Sequence, residues 1–188
     1  MGRTQNFIHG LVSLLPPEHY QKTEELWQML DDECGLNGIK SIPIPHFSWL
    51  VGTDFDWKAL EDTLAEIAQK AHPISVQTGG VGIFSGERPV IYIPIVRNAE
   101  LNALHRLVWE AIQPIGTGLS PFYGPKLWMP HISLAYQDVT QENVGCAMQK
   151  LAFHNFNWEF EVDNISFMHE ADAETGELHY QFDFTGEK

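Results

Sequence analysis

Two stretches spell one pattern: IPHFSWL, residues 44–50, and MPHISLA, residues 129–135. Each runs apolar, proline, histidine, apolar, serine, apolar. In a β-strand successive side chains point to opposite faces. His46 and Ser48 therefore share a face, as do His131 and Ser133, while Phe47 and Ile132 turn to the core. The proline before each histidine fixes φ and withholds an N–H, which suits the first residue of a strand. A single histidine beside a strand is usually a satisfied core or rim residue. A second copy with matching proline, serine and apolar context instead predicts two similar halves, each delivering an imidazole and a hydroxyl to a sheltered face.

The segments around these stretches alternate in type. Phe7 to Leu15 is an apolar run ended by Pro16-Pro17, as expected of a buried strand. Residues 17–34 predict a helix with Tyr20, Thr23, Trp27 and Leu30 on one face and Gly35 as its stop. Asp56 can cap a second helix burying Trp57, Leu60, Leu64, Ile67 and Ala68. Residues 74–96 hold two β-rich runs joined by a glycine-bearing turn, and Pro94 in the second suggests an edge position or a bulge. Asn98 can cap a third helix with Leu101, Leu104, Val108, Ala111 and Ile112 inward. A loop from Gly116 to Met129 leads into the second His-x-Ser stretch. Thr140 is expected to open a short helix carrying Val144, Ala147, Met148 and Leu151. Trp158, Phe160 and Val162 alternate as a strand, and so do Tyr180, Phe182 and Phe184. No low-complexity linker divides the chain, so residues 1–188 read as one α+β domain.

Composition narrows the function. The chain has 188 residues, 44% hydrophobic and 19% charged, an ordinary globular balance able to bury about 70% of the unfolded surface. Its net charge of −14 repels phosphate backbones, which disfavours long RNA while leaving room for a small phosphorylated ligand. Cys34 and Cys146 are too few for a disulfide framework and lack metal-ligand spacing, so a reduced, cytoplasmic setting fits. The first twenty residues lack a signal-peptide layout, and no apolar run reaches membrane-spanning length.

Two imidazoles facing one cleft suit phosphoryl transfer. With an ordinary pKa of about 6.5, one ring can be neutral and the other protonated near neutral pH. The neutral ring can take a proton from an attacking water or hydroxyl, and the imidazolium can give one to the departing oxygen. The hydroxyls of Ser48 and Ser133 can hold the non-bridging phosphate oxygens. That chemistry calls for no metal and no cofactor.

On these residues the sequence resembles the 2H phosphoesterases, the LigT-like or 2′-5′ RNA ligase family, whose defining feature is a His-x-Thr/Ser motif in each of two lobes. His46-Phe47-Ser48 and His131-Ile132-Ser133 match the motifs. Gly80-Val81-Gly82-Ile83-Phe84, followed by Arg88-Pro89-Val90-Ile91-Tyr92, is similar to the family's glycine–phenylalanine turn and next strand. Both motif hydroxyls are serine where many members have threonine. The resemblance implies a bilobed fold with two pseudo-symmetric lobes, antiparallel-rich sheets around a central groove and helices outside. It implies metal-independent hydrolysis of 2′,3′-cyclic or 2′-5′ phosphodiesters of nucleotides or short RNA by a monomer. It also implies that His131 activates the nucleophile and His46 protonates the leaving oxygen. A nucleotide- or RNA-end binding module of the same fold, or an RNA 3′-end exonuclease, are the alternatives.

Several further residues carry expectations. Tyr123, Lys126 and Trp128 precede the second motif, where a loop can overhang the groove. Tyr123 or Trp128 could stack on a base and Lys126 could balance phosphate charge, although loop aromatics also anchor themselves to the core. Phe122 is expected to pack inward. Arg88 and Arg97 read as solvated strand ends. Gly80, Gly82 and Gly86 lack the Lys-Ser/Thr of a phosphate loop and read as a β-turn. His9, His19, His72, His105, His154, His169 and His179 form no ligand pattern and read as structural or surface. Asp31-Asp32-Glu33 and the stretch from Glu170 to Glu177 read as solvated turns rather than calcium loops.

Overall fold

Prolines and caps divide the chain, as seen in a computed structural model that describes residues 9–170 and 176–187. β1 (His9–Leu14) ends just before Pro16, and α1 (Pro17–Cys34) starts on Pro17, whose fixed φ suits a first helical turn. Gly35, at φ 68°, closes α1, and the Leu36 N–H returns to the Leu30 carbonyl. β2 (His46–Gly52) carries the first motif. Asp56 and Asn98 cap α2 (Trp57–Lys70) and α3 (Ala99–Ile112), accepting the N–H groups of Ala59 and Leu101. Between these helices lie β4 (Ile74–Thr78), β5 (Gly82–Phe84) and β6 (Val90–Val96). β3 (Asp54–Phe55) and β7 (Gly116–Thr117) form a small separate ribbon. β8 (His131–Ala135) carries the second motif, followed by α4 (Val144–Leu151), β9 (Glu159–Val162), β10 (Asn164–Glu170) and β11 (Gly176–Asp183).

The main sheet is antiparallel, in the order β11-β10-β1-β2-β8-β6-β4-β9, with β5 added beside β6. β2 and β8 meet at its centre. α1 packs on β8 and α4, while α2 and α3 pack on each other and on strands from both halves. Phe47, Ile132 and Ile93, from β2, β8 and β6, are fully buried in one row, as the alternation requires.

Several details depart from the sequence reading. Pro94 lies in an interior strand. Its missing N–H falls where β6 exchanges β5 for β4, and its carbonyl still accepts the Gly79 N–H. The bulge is nearby, between Ile91 and Tyr92 against β8. α4 starts at Val144, because the Thr140 N–H is taken by the Asn143 side chain and holds residues 141–143 as a turn. Trp158 and Phe184 flank β9 and β11 without joining them. Asp31-Asp32-Glu33 is the last turn of α1, with Asp31 paired to Lys40 and Glu33 to Lys150. Phe122 does not pack inward; it is 73% exposed on a 3-10 turn. Cys34 and Cys146 form a disulfide that joins the end of α1 to α4. Such a bond persists in oxidising surroundings, so the cysteines no longer argue for a reducing compartment. Phe7, and residues 171–175 of the second acidic stretch, lie outside the described residues. Among the described residues no helix is long and apolar enough to cross a membrane.

Candidate active site

The pairing of Phe47 with Ile132 is antiparallel. It sets His46 across from Ser133 and Ser48 across from His131. All four line a cavity of about 840 Å³ on the sheet face opposite Phe47 and Ile132.

Each motif is anchored in the same way. The Nδ1 of His46 lies 2.5 Å from the Ile44 carbonyl, and that of His131 lies 2.7 Å from the Met129 carbonyl. A carbonyl only accepts, so Nδ1 carries the proton and Nε2 is the nitrogen left for chemistry in the neutral ring. The carbonyls of Pro45 and Pro130 accept the Leu15 and Ile95 N–H groups. The carbonyls of Ser48 and Ser133 accept the indole N–H groups of Trp128 and Trp27, both at 2.9 Å. Each histidine thus sits between a proline-defined strand start and a tryptophan-satisfied carbonyl.

The surroundings of the two rings differ. Burial pushes His46 down to about 4; its bond to Ile44 offsets this in part, and charge on His131 lowers it further. Burial also lowers His131, against the supporting Met129 carbonyl. His131 stands edge-on to Phe84 and Tyr92, with centroids at 4.9 and 5.1 Å, and those two rings stack at 4.0 Å. Gly82 makes this possible, because a Cβ there would lie 2.4 Å from the Tyr92 ring. On the His46 side the floor is Gly10, Val12 and Val51, continuing to Met168 and His169.

The loop before the second motif is only partly as expected. Tyr123 lines the cavity and its hydroxyl bonds Ser48, while burial raises its pKa. Trp128 borders the cavity but is 1% exposed, stacked on His105 at 3.8 Å and on Trp49 at 5.5 Å, so its ring packs as core rather than standing free for a base. Lys126 is exposed and does not line the cavity. Arg97 is exposed just past β6, as expected of a strand end, and it also donates to the Trp128 and Pro125 carbonyls and lies over the Trp128 ring. Among the residues read as structural or surface, His169 lines the cavity. Tyr92 lines it opposite Ser133, in a register that strand alternation could have suggested once β6 was placed beside β8.

A curled antiparallel sheet with helices outside and two equivalent His-x-Ser strands meeting in one groove is the arrangement of a 2H phosphoesterase. The chain belongs to the 2′-5′ RNA ligase superfamily, whose model matches residues 12–174. A Bacillus cytotoxicus protein provisionally named a phosphoesterase is 24% identical over 166 residues, covering 82% of this chain and 90% of that one. Among solved structures, TT0787 of Thermus thermophilus superposes with a TM-score of 0.66 at 17% identity, covering 96% of this chain and 100% of that one. E. coli LigT complexed with 3′-AMP gives a TM-score of 0.62 at 14% identity, covering 95% and 98%. At these identities the two structures show a shared fold.

Proposed function

We propose that this protein hydrolyses phosphodiesters of small nucleotides, 2′,3′-cyclic or 2′-5′-linked, by acid–base catalysis from His46 and His131. The observation that carries the reading is the doubled anchoring of Nδ1, which leaves two Nε2 atoms for proton transfer in one groove. The nucleotide held by LigT supports a nucleotide as the bound class. The net charge of −14 favours small substrates over long RNA.

The reaction needs one proton on the pair. Water attacks phosphorus and gives its proton to the neutral Nε2. The P–O bond to the leaving oxygen breaks, and that oxygen takes the proton of the other Nε2. Solvent exchange then resets the pair. Ser133 donates to a non-bridging oxygen, and Ser48 does the same once its hydroxyl turns from the Tyr123 oxygen to the substrate. Burial disfavours charge on both rings, and charge on His131 lowers His46 further, so we assign the pair's one proton to His131. This makes His131 the acid and His46 the base for water attack, the reverse of the roles implied by resemblance.

Purified protein assayed in excess EDTA against 2′,3′-cyclic nucleotides and 2′-5′ dinucleotides tests the reading. Monophosphate products support it, whereas tight binding without turnover identifies a binding module. Bis(4-nitrophenyl) phosphate separates the roles, because nitrophenolate leaves without an acid. His131→Ala should then retain far more activity than His46→Ala, and the opposite order would restore the roles implied by resemblance.

A further inference from the structure

The groove carries almost no fixed charge. Among the described residues lining it there is no lysine, arginine, aspartate or glutamate, and the only readily charged groups are histidines. No described lysine or arginine lines it: Lys22, Lys40, Lys70 and Lys150 are in ion pairs, Arg97 is held by carbonyls, and Lys58, Arg88, Arg106 and Lys126 lie outside the lining. The mouth, by contrast, is apolar. Ile83 is 40% exposed, Phe122 73%, Leu127 59% and Met129 52%, and all four line this one cavity. They make up half of the eight large apolar side chains left exposed among the described residues, so the cavity mouth concentrates the apolar surface. This rim is also firmly held. The Leu127 and Trp128 N–H groups both return to the Gly124 carbonyl, and Arg97 grips the Pro125 and Trp128 carbonyls. Little ordering would remain to be done when a ligand covers it.

Resting on the phosphodiesterase reading, we infer a narrower substrate class: a phosphodiester with a single negative charge and a bulky apolar arm, aryl or alkyl. The charge balance follows from the lining. One proton on the histidine pair neutralises one phosphodiester anion. A second phosphate would enter a partly dehydrated cavity whose lining offers no lysine or arginine and, beyond the catalytic pair, only His169 to meet it, which is unfavourable. The arm gains what the second charge loses, because Ile83, Phe122, Leu127 and Met129 offer it surface already exposed to water. Nucleosides without further phosphates satisfy the class in part; an alkyl or aryl diester satisfies it fully.

The test uses diesters sharing one 4-nitrophenyl leaving group: a methyl arm, an octyl arm, and thymidine 5′-(4-nitrophenyl phosphate) with and without a 3′-phosphate. We expect kcat/KM to rise at least tenfold from methyl to octyl and to fall at least tenfold when the 3′-phosphate is added. In the Leu127→Lys/Met129→Lys variant the octyl-to-methyl ratio should shrink and the penalty for the 3′-phosphate should lessen. Methyl and octyl arms equal within twofold, or a gain from the added phosphate, would overturn it. Calorimetric binding of dimethyl phosphate and methyl octyl phosphate to the wild type is measured in parallel. Turnover without arm preference sinks this inference and leaves the phosphodiesterase reading intact. No turnover, with methyl octyl phosphate bound at least tenfold more tightly, sinks catalysis and sustains the apolar-arm site. Neither turnover nor preference removes both.

Discussion

Phe47 on β2 pairs directly with Ile132 on β8, and that backbone contact brings the two His-x-Ser strands together. The core residue of each motif faces the other across the sheet centre. Each histidine is thereby set beside the other motif's serine.

Because both histidines line a groove and are only partly buried, replacing either should spare the fold. His46→Ala and His131→Ala should each lower turnover of a cyclic nucleotide by roughly 10²–10⁴-fold. Thermal unfolding midpoints should stay close to wild type. Near-normal turnover in either variant would end the two-histidine mechanism.

The tryptophan contacts predict a paired effect at the strand centre. Trp27→Phe strips the Ser133 carbonyl of its donor, and Trp128→Phe does the same to Ser48. Each partly buried carbonyl that loses its indole donor should cost about 1–3 kcal/mol. Urea unfolding measures this, and stability unchanged in both variants would show the indole bonds to be dispensable.

Gly82 keeps Tyr92 in place through the absence of a side chain. Gly82→Ala would drive a Cβ into the Tyr92 ring and disturb the Phe84–Tyr92 stack against His131. We expect kcat/KM to fall roughly 10- to 100-fold, with a smaller effect on stability. If the loss of activity merely tracked unfolding, the positional role of Gly82 would be wrong.

Stability should depend on pH through the partly buried His46 and the buried His105. His46 and His105 are each pushed from 6.5 to about 4 in the folded chain. Above pH 6.5 both states leave them neutral and no stability is lost. As pH falls from 6.5 towards 4, the unfolded chain binds protons that the folded chain refuses, so stability drops. Urea midpoints should therefore be lower at pH 5 than at pH 7, and His46→Gln should flatten that difference. An unchanged slope in His46→Gln would contradict the burial of this ring.

The disulfide closes a loop between residues 112 apart in sequence. Cys34→Ser/Cys146→Ser should lower stability by about 2–4 kcal/mol. Thiol titration of the unfolded, unreduced protein should find no free cysteine. Two free thiols, or undiminished stability in the double variant, would show that the bond does not form in solution.

Local pattern in the sequence determined what depends on neighbours along the chain. Period-two alternation placed Phe47 and Ile132 in the core and His46, Ser48, His131 and Ser133 on one face. Asp56 and Asn98 marked helix starts and Gly35 a helix end, because capping is decided within four residues. Duplication of the motif indicated two halves and a shared groove. The tertiary structure decided everything set by residues distant in sequence. It turned Trp128 into core by stacking it on His105 and Trp49, and exposed Phe122 because its 3-10 turn points out at the groove mouth. It joined Cys34 to Cys146, a pairing that local spacing does not encode. It also placed Pro94 in an interior strand, harmless only because two neighbouring strands change over there. The charge of the groove likewise emerged only from the fold, since composition gives how many cations a chain has and packing decides which of them face the substrate.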